Sequence, residues 1–406
     1  MLYQLSHYRM KFAAKLVILC DTATIFRKKN TFLSGLLRNF APMILKKLAI
    51  LNFRNIAEAE IQLSVKMNCF VGQNGQGKTN VLDSIFFLSF AKSSVCSIDS
   101  QNIRHGQELM MIQGTYDLNG TEEEISVGMK LHQKKHVKRN KKEYRRLSEH
   151  IGLLPLVMVS PADSQLIQGG SDERRRFMDM VISQCDTEYL HALASYNKAL
   201  MQRNALLKAD EEPSTDMLDV YEELMAMHGE SVFRKRTAFI EEFIPIFQQF
   251  HDTITGASET VGLNYVSHAQ RGPLLAQIRA SRAKDRIMGY SLHGIHKDEL
   301  EMTLDGFPIK REGSQGQNKS YIIALKLAQF NALQRTGSKT APIVLLDDIF
   351  DKLDSSRVAN IISLMQQPAF GQIFITDTNR QHLDRILEHT QGDYRIFKVC
   401  AGNISL

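Results

Sequence analysis

The sequence predicts an α/β fold with mixed and antiparallel sheets and an α-helical insertion. Uninterrupted apolar runs of strand length are typical of buried parallel strands, and they occupy residues 343–346 and 372–375. Alternation of apolar and polar residues indicates antiparallel strands, and it is found at residues 44–50, 59–63, 110–116 and 124–129. Long helical patterns between about residue 169 and residue 250 separate these two groups.

The composition is that of a globular protein, because 43% of the 406 residues are hydrophobic and 23% are charged. No run approaches the ~18 consecutive apolar residues of a membrane span, so neither a transmembrane helix nor a membrane partner is predicted. The five cysteines form no C-x-x-C pair, which favours free thiols in a reducing cytoplasm over disulfides or a zinc site. A formal net charge of +6 is compatible with a polyanionic partner.

Residues 1–42 differ from the rest of the chain. They mix basic residues with short apolar runs, and Asp21 interrupts the longest run, so a secretory signal is not predicted. A regular alternating strand begins near Met43. We therefore expect the ordered fold to start there and residues 1–42 to be an extension, either upstream of the true start codon or a helical appendage.

The apolar strand at residues 67–71 leads into the loop GQNGQGKT and then into a helical pattern at residues 80–88. The spacing G-x-x-x-x-G-K-T between a strand and a helix is typical of a phosphate-binding P-loop and disfavours an ordinary glycine-rich turn. We expect Lys78 to reach the β and γ oxygens of a nucleotide and Thr79 to bind Mg²⁺. The predicted nucleotide-binding residues of this loop are Gly72, Gln73, Asn74, Gly75, Gln76, Gly77, Lys78 and Thr79.

A strongly basic stretch follows the two strands that Asn119-Gly120 joins as a predicted hairpin. Residues 134–146 hold eight Lys or Arg against one Glu, and alternation around Val137 with a turn near Asn140 predicts a second hairpin. Clustered cations on a ribbon favour sequence-independent contact with a DNA backbone, although a solvated charged face is the common alternative. The predicted DNA-binding residues are Lys134, Lys135, Lys138, Arg139, Lys141, Lys142, Arg145 and Arg146.

The helical patterns that begin near residue 169 are rich in Glu, Lys, Arg, Met and Leu and break at residues 212–214. An α-helical insertion is the simplest interpretation. At its start, Arg174, Arg175 and Arg176 are either further DNA contacts or braces for the nucleotide site or the helix.

The C-terminal part returns to strands and helices. The apolar strand at residues 343–346 ends in Asp347 and Asp348, an arrangement that places one carboxylate at the Mg²⁺ shell and the next near an attacking water. A cap or surface turn is the alternative for two aspartates taken alone. With the P-loop present, we expect Asp347 to bind Mg²⁺ and Asp348 to orient water or act as general base, so that Lys78, Asp347 and Asp348 are the predicted catalytic residues. A helix is predicted for residues 355–365.

A second anion site is predicted where residues 313–317 (GSQGQ) precede a long helical stretch. A serine hydroxyl, backbone N–H groups and the helix dipole can face one anion, while a plain N-cap serine is the alternative. The order of P-loop, insertion, serine-headed helix, acidic strand and residues 351–354 is typical of an ABC-type P-loop ATPase head. In that class the serine helix faces the γ-phosphate held by a second subunit, and here its residues are Ser314, Gln315, Gly316 and Gln317.

The chain resembles the RecF family of SMC/Rad50-like ATPases from about Met43 to its end. The resemblance is carried by residues 51–55 (LNFRN), 72–85 (GQNGQGKTNVLDSI), 159–163 (VSPAD), 169–177 (GGSDERRRF), 293–300 (HGIHKDEL), 313–320 (GSQGQNKS) and 345–354 (LLDDIFDKLD). The ERRRF, HKDEL and GSQGQ segments are the more particular to the family. Ile295 departs from an expected proline, and S-Q-G-Q stands where transporter ATPases usually show S-G-G-Q.

What the resemblance implies is an ATP-gated DNA clamp. Two heads would sandwich two nucleotides, ATP with Mg²⁺ would drive homodimerisation, and slow hydrolysis would release the pair. Arg54 would contact the nucleotide, the alternative being a surface arginine at a strand end. Residues 376–378 follow a strand where related ATPases carry a switch histidine. The implied partners are single-stranded and double-stranded DNA, gapped junctions in particular, together with RecR and RecO in recombinase loading, replication, repair and the SOS response.

These predictions divide the chain into an extension at residues 1–42, the N-terminal part of an ATPase lobe with the P-loop and basic hairpin at 43–168, a mainly helical lobe at 169–290, and the C-terminal part of the ATPase lobe at 291–406.

Two rival functions are weighed against an ATPase switch. A transporter-type ATPase would need a membrane partner, which the insertion and the basic hairpin do not resemble. A metal-dependent nuclease would use Asp347, Asp348 and Asp351 as a cluster.

Overall fold

A computed structural model describes residues 43–336, 340–350, 355–367, 369–378, 383, 387 and 393–406. The predicted extension at residues 1–42 and residues 351–354, which include Asp351 of the rival metal cluster, lie outside the described residues. Among the residues described, no helix combines the length and the apolar character needed to span a membrane.

The described residues include fifteen strands and ten α-helices. The strands are β1 (Met43–Phe53), β2 (Ile56–Gln62), β3 (Met67–Val71), β4 (Leu109–Leu118), β5 (Thr121–Lys130), β6 (His136–Arg139), β7 (Lys142–Glu143), β8 (Leu156–Val159), β9 (Val261–Val266), β10 (Glu299–Leu304), β11 (Phe307–Pro308), β12 (Ile343–Asp347), β13 (Ile373–Asp377), β14 (Tyr394–Cys400) and β15 (Asn403–Ser405). The α-helices are α1 (Lys78–Phe90), α2 (Ser164–Gln168), α3 (Ser171–Cys185), α4 (Thr187–Lys208), α5 (Thr215–Thr255), α6 (Leu274–Ala280), α7 (Arg282–Met288), α8 (Ile309–Glu312), α9 (Gln315–Thr336) and α10 (Ser355–Met365).

The mixed sheet has the strand order β15-β14-β3-β13-β12-β8. All its neighbouring pairs are parallel except β14 with β15, which confirms the parallel strands predicted from the apolar runs at residues 343–346 and 372–375. The register pairs Asp347 with Thr376 and Asp377 with Val71, so the P-loop and the acidic strand end meet at one edge of the sheet. Polar groups at the carboxyl ends of parallel strands commonly form ligand sites at such an edge.

The antiparallel sheet has the order β2-β1-β4-β5-β6-β7. Asn119 and Gly120 both have positive φ and join β4 to β5, as the sequence predicts. Asn140 and Lys141 do the same between β6 and β7, which confirms the second hairpin. Helix α1 shares one hydrophobic cluster with strands of both large sheets, so apolar burial on both sides fixes its position.

Helices α3 to α5 form the predicted helical part, and α5 is longer than expected because it continues to Thr255. A small sheet in the order β11-β10-β9 was not predicted. Buried ion pairs tie the helices together: Arg203 contacts Glu222 at 3.0 Å and Asp285 at 2.7 Å, and all three side chains are inaccessible to solvent. Replacing one member of such a cluster would leave its partner's charge buried without compensation.

Candidate nucleotide-binding site

The P-loop leads directly into the N-terminus of helix α1, which no side chain caps. Helix α1 begins at Lys78, and Gly77, with φ at 108°, is its N-cap residue. Gly77 has no side chain to cap the helix, and the first turn holds no acidic residue. The first backbone N–H groups of α1 are therefore oriented to receive an anion, and the helix dipole favours a negative charge there.

Close contacts explain two glycines of the loop. A Cβ added to Gly77 would lie 2.6 Å from the Asn55 side chain, and one added to Gly72 would lie 2.3 Å from the carbonyl oxygen of Val399. Asn55 Nδ2 donates a hydrogen bond to the Gln76 carbonyl at 3.0 Å and Asn55 Oδ1 accepts one from Asn80 at 2.7 Å. Sequence reasoning did not assign Asn55 to the site, although it ends the segment LNFRN that carries the resemblance.

The C-terminal hairpin of β14 and β15 clamps the other side of the loop. The Ala401 N–H donates to Gln76 Oε1 at 2.6 Å, and the Gly402 N–H donates to the Gln76 carbonyl at 2.9 Å. Gln76 is thus held by segments from the two ends of the described chain. Its predicted direct contact with a nucleotide remains a prediction, while its structural contacts are with protein.

Lys78 lies over the loop. Its Nζ donates to the carbonyl oxygens of Gly72 at 2.7 Å and Gln73 at 3.0 Å, and only 6% of the residue is exposed. Burial lowers the pKa of Lys78, and the carboxylates of Asp348 and Asp347 oppose that shift. An ammonium in this place can exchange carbonyl partners for the oxygens of a bound phosphate.

Thr79 and Asp347 bring a hydroxyl oxygen and a carboxylate together beside the P-loop. The Thr79 hydroxyl lies 2.9 Å from Asp347 Oδ2, and Thr376 Oγ1 donates to Asp347 Oδ1 at 2.7 Å. Burial raises the pKa of Asp347, and the hydrogen bonds from Thr376 and Thr79 lower it. A hydroxyl and a buried carboxylate at the mouth of a phosphate loop fit Mg²⁺, which prefers oxygen ligands and retains waters and phosphate oxygens.

Asp348 has a strained backbone. Its φ of 50° lies in the left-handed region, which non-glycine residues rarely adopt. The Asp348 N–H donates to Thr376 Oγ1 at 3.0 Å. The Thr376 hydroxyl therefore contacts the carboxylate of Asp347 and the backbone of Asp348, a pair of contacts that the sequence left open. Asp348 also lines a cavity of about 440 Å³ together with Ser160, Gln168 and Gln315.

The GSQGQ segment starts helix α9 as predicted. The Ser314 N–H donates to Gln317 Oε1 at 2.8 Å and the Gln317 N–H donates to Ser314 Oγ at 3.2 Å, which is a capping box. Ser314 and Gln315 are exposed and Gly316 is partly buried. A hydroxyl that accepts from Gln317 still has its own hydrogen to donate to an anion, so the cap and the predicted phosphate contact are compatible.

Arg54 is placed against α1 and engaged by protein groups. Its guanidinium donates to Asn102, Asn80 and Ser93, and it lies 3.2 Å from the buried Asp83 carboxylate. The side chain is 16% exposed. These contacts brace the first turns of α1, and the predicted nucleotide contact remains a prediction.

The arginines of the ERRRF segment divide between two roles. Arg174 binds Glu299 of the HKDEL segment in a bidentate ion pair of 2.6 and 2.7 Å, and Arg175 donates to the Asp298 carbonyl at 2.6 Å. Arg176 is half-exposed and pairs only weakly with Glu173. The bracing alternative therefore describes Arg174 and Arg175, which join helix α3 to strand β10.

The basic hairpin, residues 134–146, presents an uneven set of cations. Lys135 pairs with Asp99 at 2.7 Å, and Arg139 makes a bidentate pair with Glu123 whose hydrogen bonds lower the pKa of that carboxyl. The remaining six predicted DNA contacts are exposed and form no ion pair with any described residue; they are Lys134, Lys138, Lys141, Lys142, Arg145 and Arg146.

No cluster of three or more His, Cys, Asp or Glu side chains within the described parts of the chain is arranged to hold a metal ion. The carboxylate of Asp347 is instead shared by the hydroxyls of Thr79 and Thr376.

Comparison with known proteins shows which family this chain belongs to. The family model "RecF/RecN/SMC N terminal domain" matches residues 44–401. The DNA replication and repair protein RecF of Bacteroides fragilis is 63% identical over 364 residues, which cover 89% of this chain and 98% of that relative. This chain belongs to the RecF family. The RecF of Bacteroides thetaiotaomicron is likewise 63% identical with the same coverage of both chains.

A solved RecF structure has the same fold as this chain. A structure of the recombination mediator protein RecF with ATP, in the RecFOR pathway, is 27% identical with a TM-score of 0.81 and covers 90% of this chain and 98% of that chain. The predicted fold class, an ABC-type P-loop ATPase head, is therefore confirmed for this RecF-family chain.

Proposed function

We propose that this chain is an ATP-dependent DNA-binding protein of replication and recombinational repair, which dimerises on DNA when it binds ATP and separates when it slowly hydrolyses it. The observation that carries the proposal is the contact of Thr79 with Asp347 at 2.9 Å beside the uncapped N-terminus of α1. The RecF relatives named for DNA replication and repair support it, as does the ATP-bound RecF structure.

Within one copy, the P-loop holds the phosphates of ATP. The N–H groups of residues 75–79 surround the β-phosphate, and Lys78 exchanges its carbonyl partners for β and γ oxygens. Thr79 and Asp347 hold Mg²⁺, which when bound neutralises charge on those oxygens. Asp348 orients the attacking water or accepts its proton, with Thr376 fixing its backbone. The residues of each copy thus supply about half of a hydrolytic site.

The second half comes from a second copy. Ser314 and Gln315 are exposed at the N-terminus of α9, where the Ser314 hydroxyl keeps its own hydrogen to donate and the helix dipole favours an anion. Facing the γ-phosphate of the partner's ATP, they make that phosphate the link between two heads. Hydrolysis removes the link, so the nucleotide sets the oligomeric state.

DNA binding is assigned to the six exposed cations of the basic hairpin, whose attraction for phosphates is sequence-independent and salt-dependent. The ATP-bound RecF structure belongs to the RecFOR pathway, and the same pathway is proposed for this chain, with RecR and RecO as protein partners in the bacterial cytoplasm. Gapped duplexes and junctions of single and double strands are the proposed DNA substrates.

The test is the molar mass of the protein in solution, measured by light scattering with ATP, with ADP and without nucleotide, each with and without gapped DNA. We expect a dimer with ATP only. Lys78→Ala should lose ATP binding and remain a monomer. Ser314→Arg should bind ATP and still remain a monomer, because the bulky cation blocks only the partner's phosphate.

Ser214→Arg is the matched control, since Ser214 is also exposed and also precedes a helix. It should dimerise like the natural chain. ATP-loaded protein that stays monomeric on gapped DNA, or a Ser314→Arg variant that dimerises normally, would overturn the proposal. DNA cleavage by the pure protein with Mg²⁺ or Mn²⁺ and no ATP would favour the nuclease instead.

A further inference from the structure

Exposed apolar side chains line the outer face of the helical hairpin that α4 and α5 form. Solvent-exposed fractions of large apolar side chains on this hairpin are Met201 62%, Met217 48%, Val220 55%, Leu224 36% and Met227 57%. We call these five residues the apolar stripe. They lie outside the nucleotide site and the basic hairpin, so the proposed function does not explain them. A cluster of exposed apolar side chains on a globular protein commonly marks a contact surface.

The positions on α5 have the spacing of a helix-pairing seam. Met217, Val220, Leu224 and Met227 follow one another at intervals of three, four and three residues. This is the pattern of a and d positions over two heptads, which places the four side chains on one face of the helix.

Met201 extends the stripe onto α4. Arg203 and Glu222 are both fully buried and meet each other and helix α7 inside the lobe. Met201 and Leu224 are each two residues from these positions, which is about 200° around a helix, so both point away from the buried pair. Because Arg203 pairs with Asp285 and Glu222 pairs with Arg282, both buried side chains face helix α7, and the two exposed side chains lie on the common face of α4 and α5 that is turned away from α7.

The charge around the stripe is opposite to that of the whole chain. Residues 187–230 hold nine acidic and three basic side chains, a net charge of −6, while the chain as a whole carries +6. The exposed acids near the stripe are Asp210, Glu211, Glu212, Asp216, Glu223 and Glu230, of which Glu223 is paired with Arg279 at 3.0 Å. An acidic surface repels DNA phosphates and attracts a cationic protein surface.

We propose that the apolar stripe is a docking site for a basic amphipathic helix of a partner protein. Leucine or isoleucine side chains of such a helix would pack between those of the stripe, and its flanking lysines or arginines would face the acidic rim. Three of the five stripe residues are methionines, whose flexible thioether side chains adapt to a packed partner. A second copy of this chain is a poorer occupant, because it would bring an equally acidic rim against this one.

The test uses a synthetic helical peptide as probe. It has about three heptads with Leu at a and d and Lys at e and g, so that its own charges prevent self-pairing. Binding of the labelled peptide to the full chain without nucleotide is measured by fluorescence anisotropy. A second peptide with Glu at e and g has the same apolar face and the opposite charge. We expect the Lys peptide to bind and the Glu peptide to bind at least about tenfold more weakly.

Variants of the full chain locate the binding. Val220→Gln with Leu224→Gln removes apolar surface without changing charge, and the exposed positions allow the fold to persist. This variant should bind the Lys peptide about tenfold more weakly or worse. Val65→Gln is the matched control, because Val65 is 52% exposed on another part of the chain, and it should bind like the natural protein.

Equal binding of the two peptides, or unchanged binding by the double variant, would overturn the proposal. Loss of self-association in the double variant would assign the stripe to a second copy and also overturn it. ATP-dependent dimerisation and binding of gapped DNA should be unchanged in the double variant, since neither residue belongs to those sites. Failure of the docking proposal is thus separate from failure of the proposed function.

Discussion

Replacing Thr376 with valine removes one hydroxyl that contacts both the carboxylate of Asp347 and the backbone of Asp348. Thr376 is fully buried, its Oγ1 donates to Asp347 Oδ1 at 2.7 Å, and it accepts from the Asp348 N–H at 3.0 Å. Valine fills the same volume and can do neither. The variant therefore leaves a partly buried N–H without this partner at a residue whose φ of 50° is already strained.

The expected cost follows from these two bonds. A hydrogen bond to a charged group contributes about 1.5–3 kcal/mol, and an unpaired buried N–H costs about 1–3 kcal/mol. Because the two losses share one hydroxyl, we expect the free energy of unfolding to fall by about 3 kcal/mol in total. If half of that loss appears in the placement of Asp347 and Asp348, ATP hydrolysis slows by about tenfold, since each 1.36 kcal/mol is about a factor of ten in rate.

Two assays separate stability from positioning. Urea unfolding gives the change in the free energy of unfolding, and steady-state hydrolysis is measured well below the melting temperature across a range of Mg²⁺ concentrations. Thr376→Ser keeps the hydroxyl and loses one methyl group, about 1 kcal/mol, so its hydrolysis should stay within about twofold of the natural chain. A folded Val variant with natural turnover and Mg²⁺ dependence would refute the positioning argument, even if its stability had dropped.

Lys138→Gln should reduce the slope of log affinity against log salt concentration by about one, measured by fluorescence anisotropy with gapped DNA. Lys135→Gln should change this slope less, because Lys135 is paired with Asp99. Equal changes in the two variants would contradict the assignment of DNA binding to the exposed cations. Burial lowers the pKa of His296 to about 4. The unfolded chain takes up this proton near pH ~6.5, so stability should fall by about 3 kcal/mol between pH 7 and pH 4. His296→Gln should remove that part of the slope in urea unfolding, and an unchanged slope would show that other groups dominate. Gly72→Ala should destabilise the loop by several kcal/mol, because the added Cβ meets the Val399 carbonyl. Gly170→Ala is the control, since nothing lies within 4 Å of its added Cβ. It should be nearly neutral when thermal unfolding and ATP binding are measured for both variants.

Elements whose signal is local could be predicted from the amino-acid sequence alone. The glycine spacing of the P-loop, the apolar runs of β3, β12 and β13, and the Asn119-Gly120 turn each depend on residues within one short window, and short-range sterics and burial set their structure. The order of the motifs and the resemblance then indicated the RecF family. Helix α10 at Ser355–Met365 was predicted with the bounds that the structure has.

Contacts between residues that are distant along the chain depend on the complete fold. Thr376 contacts Asp347 because β12 and β13 are parallel and in register, and Asn55 contacts Gln76 because β1 delivers it to the loop. The structure likewise pairs Lys135 with an acid and leaves Lys138 exposed, although both belong to one run of cations. Such contacts follow from sheet register and packing across the whole fold, which no local window of sequence contains.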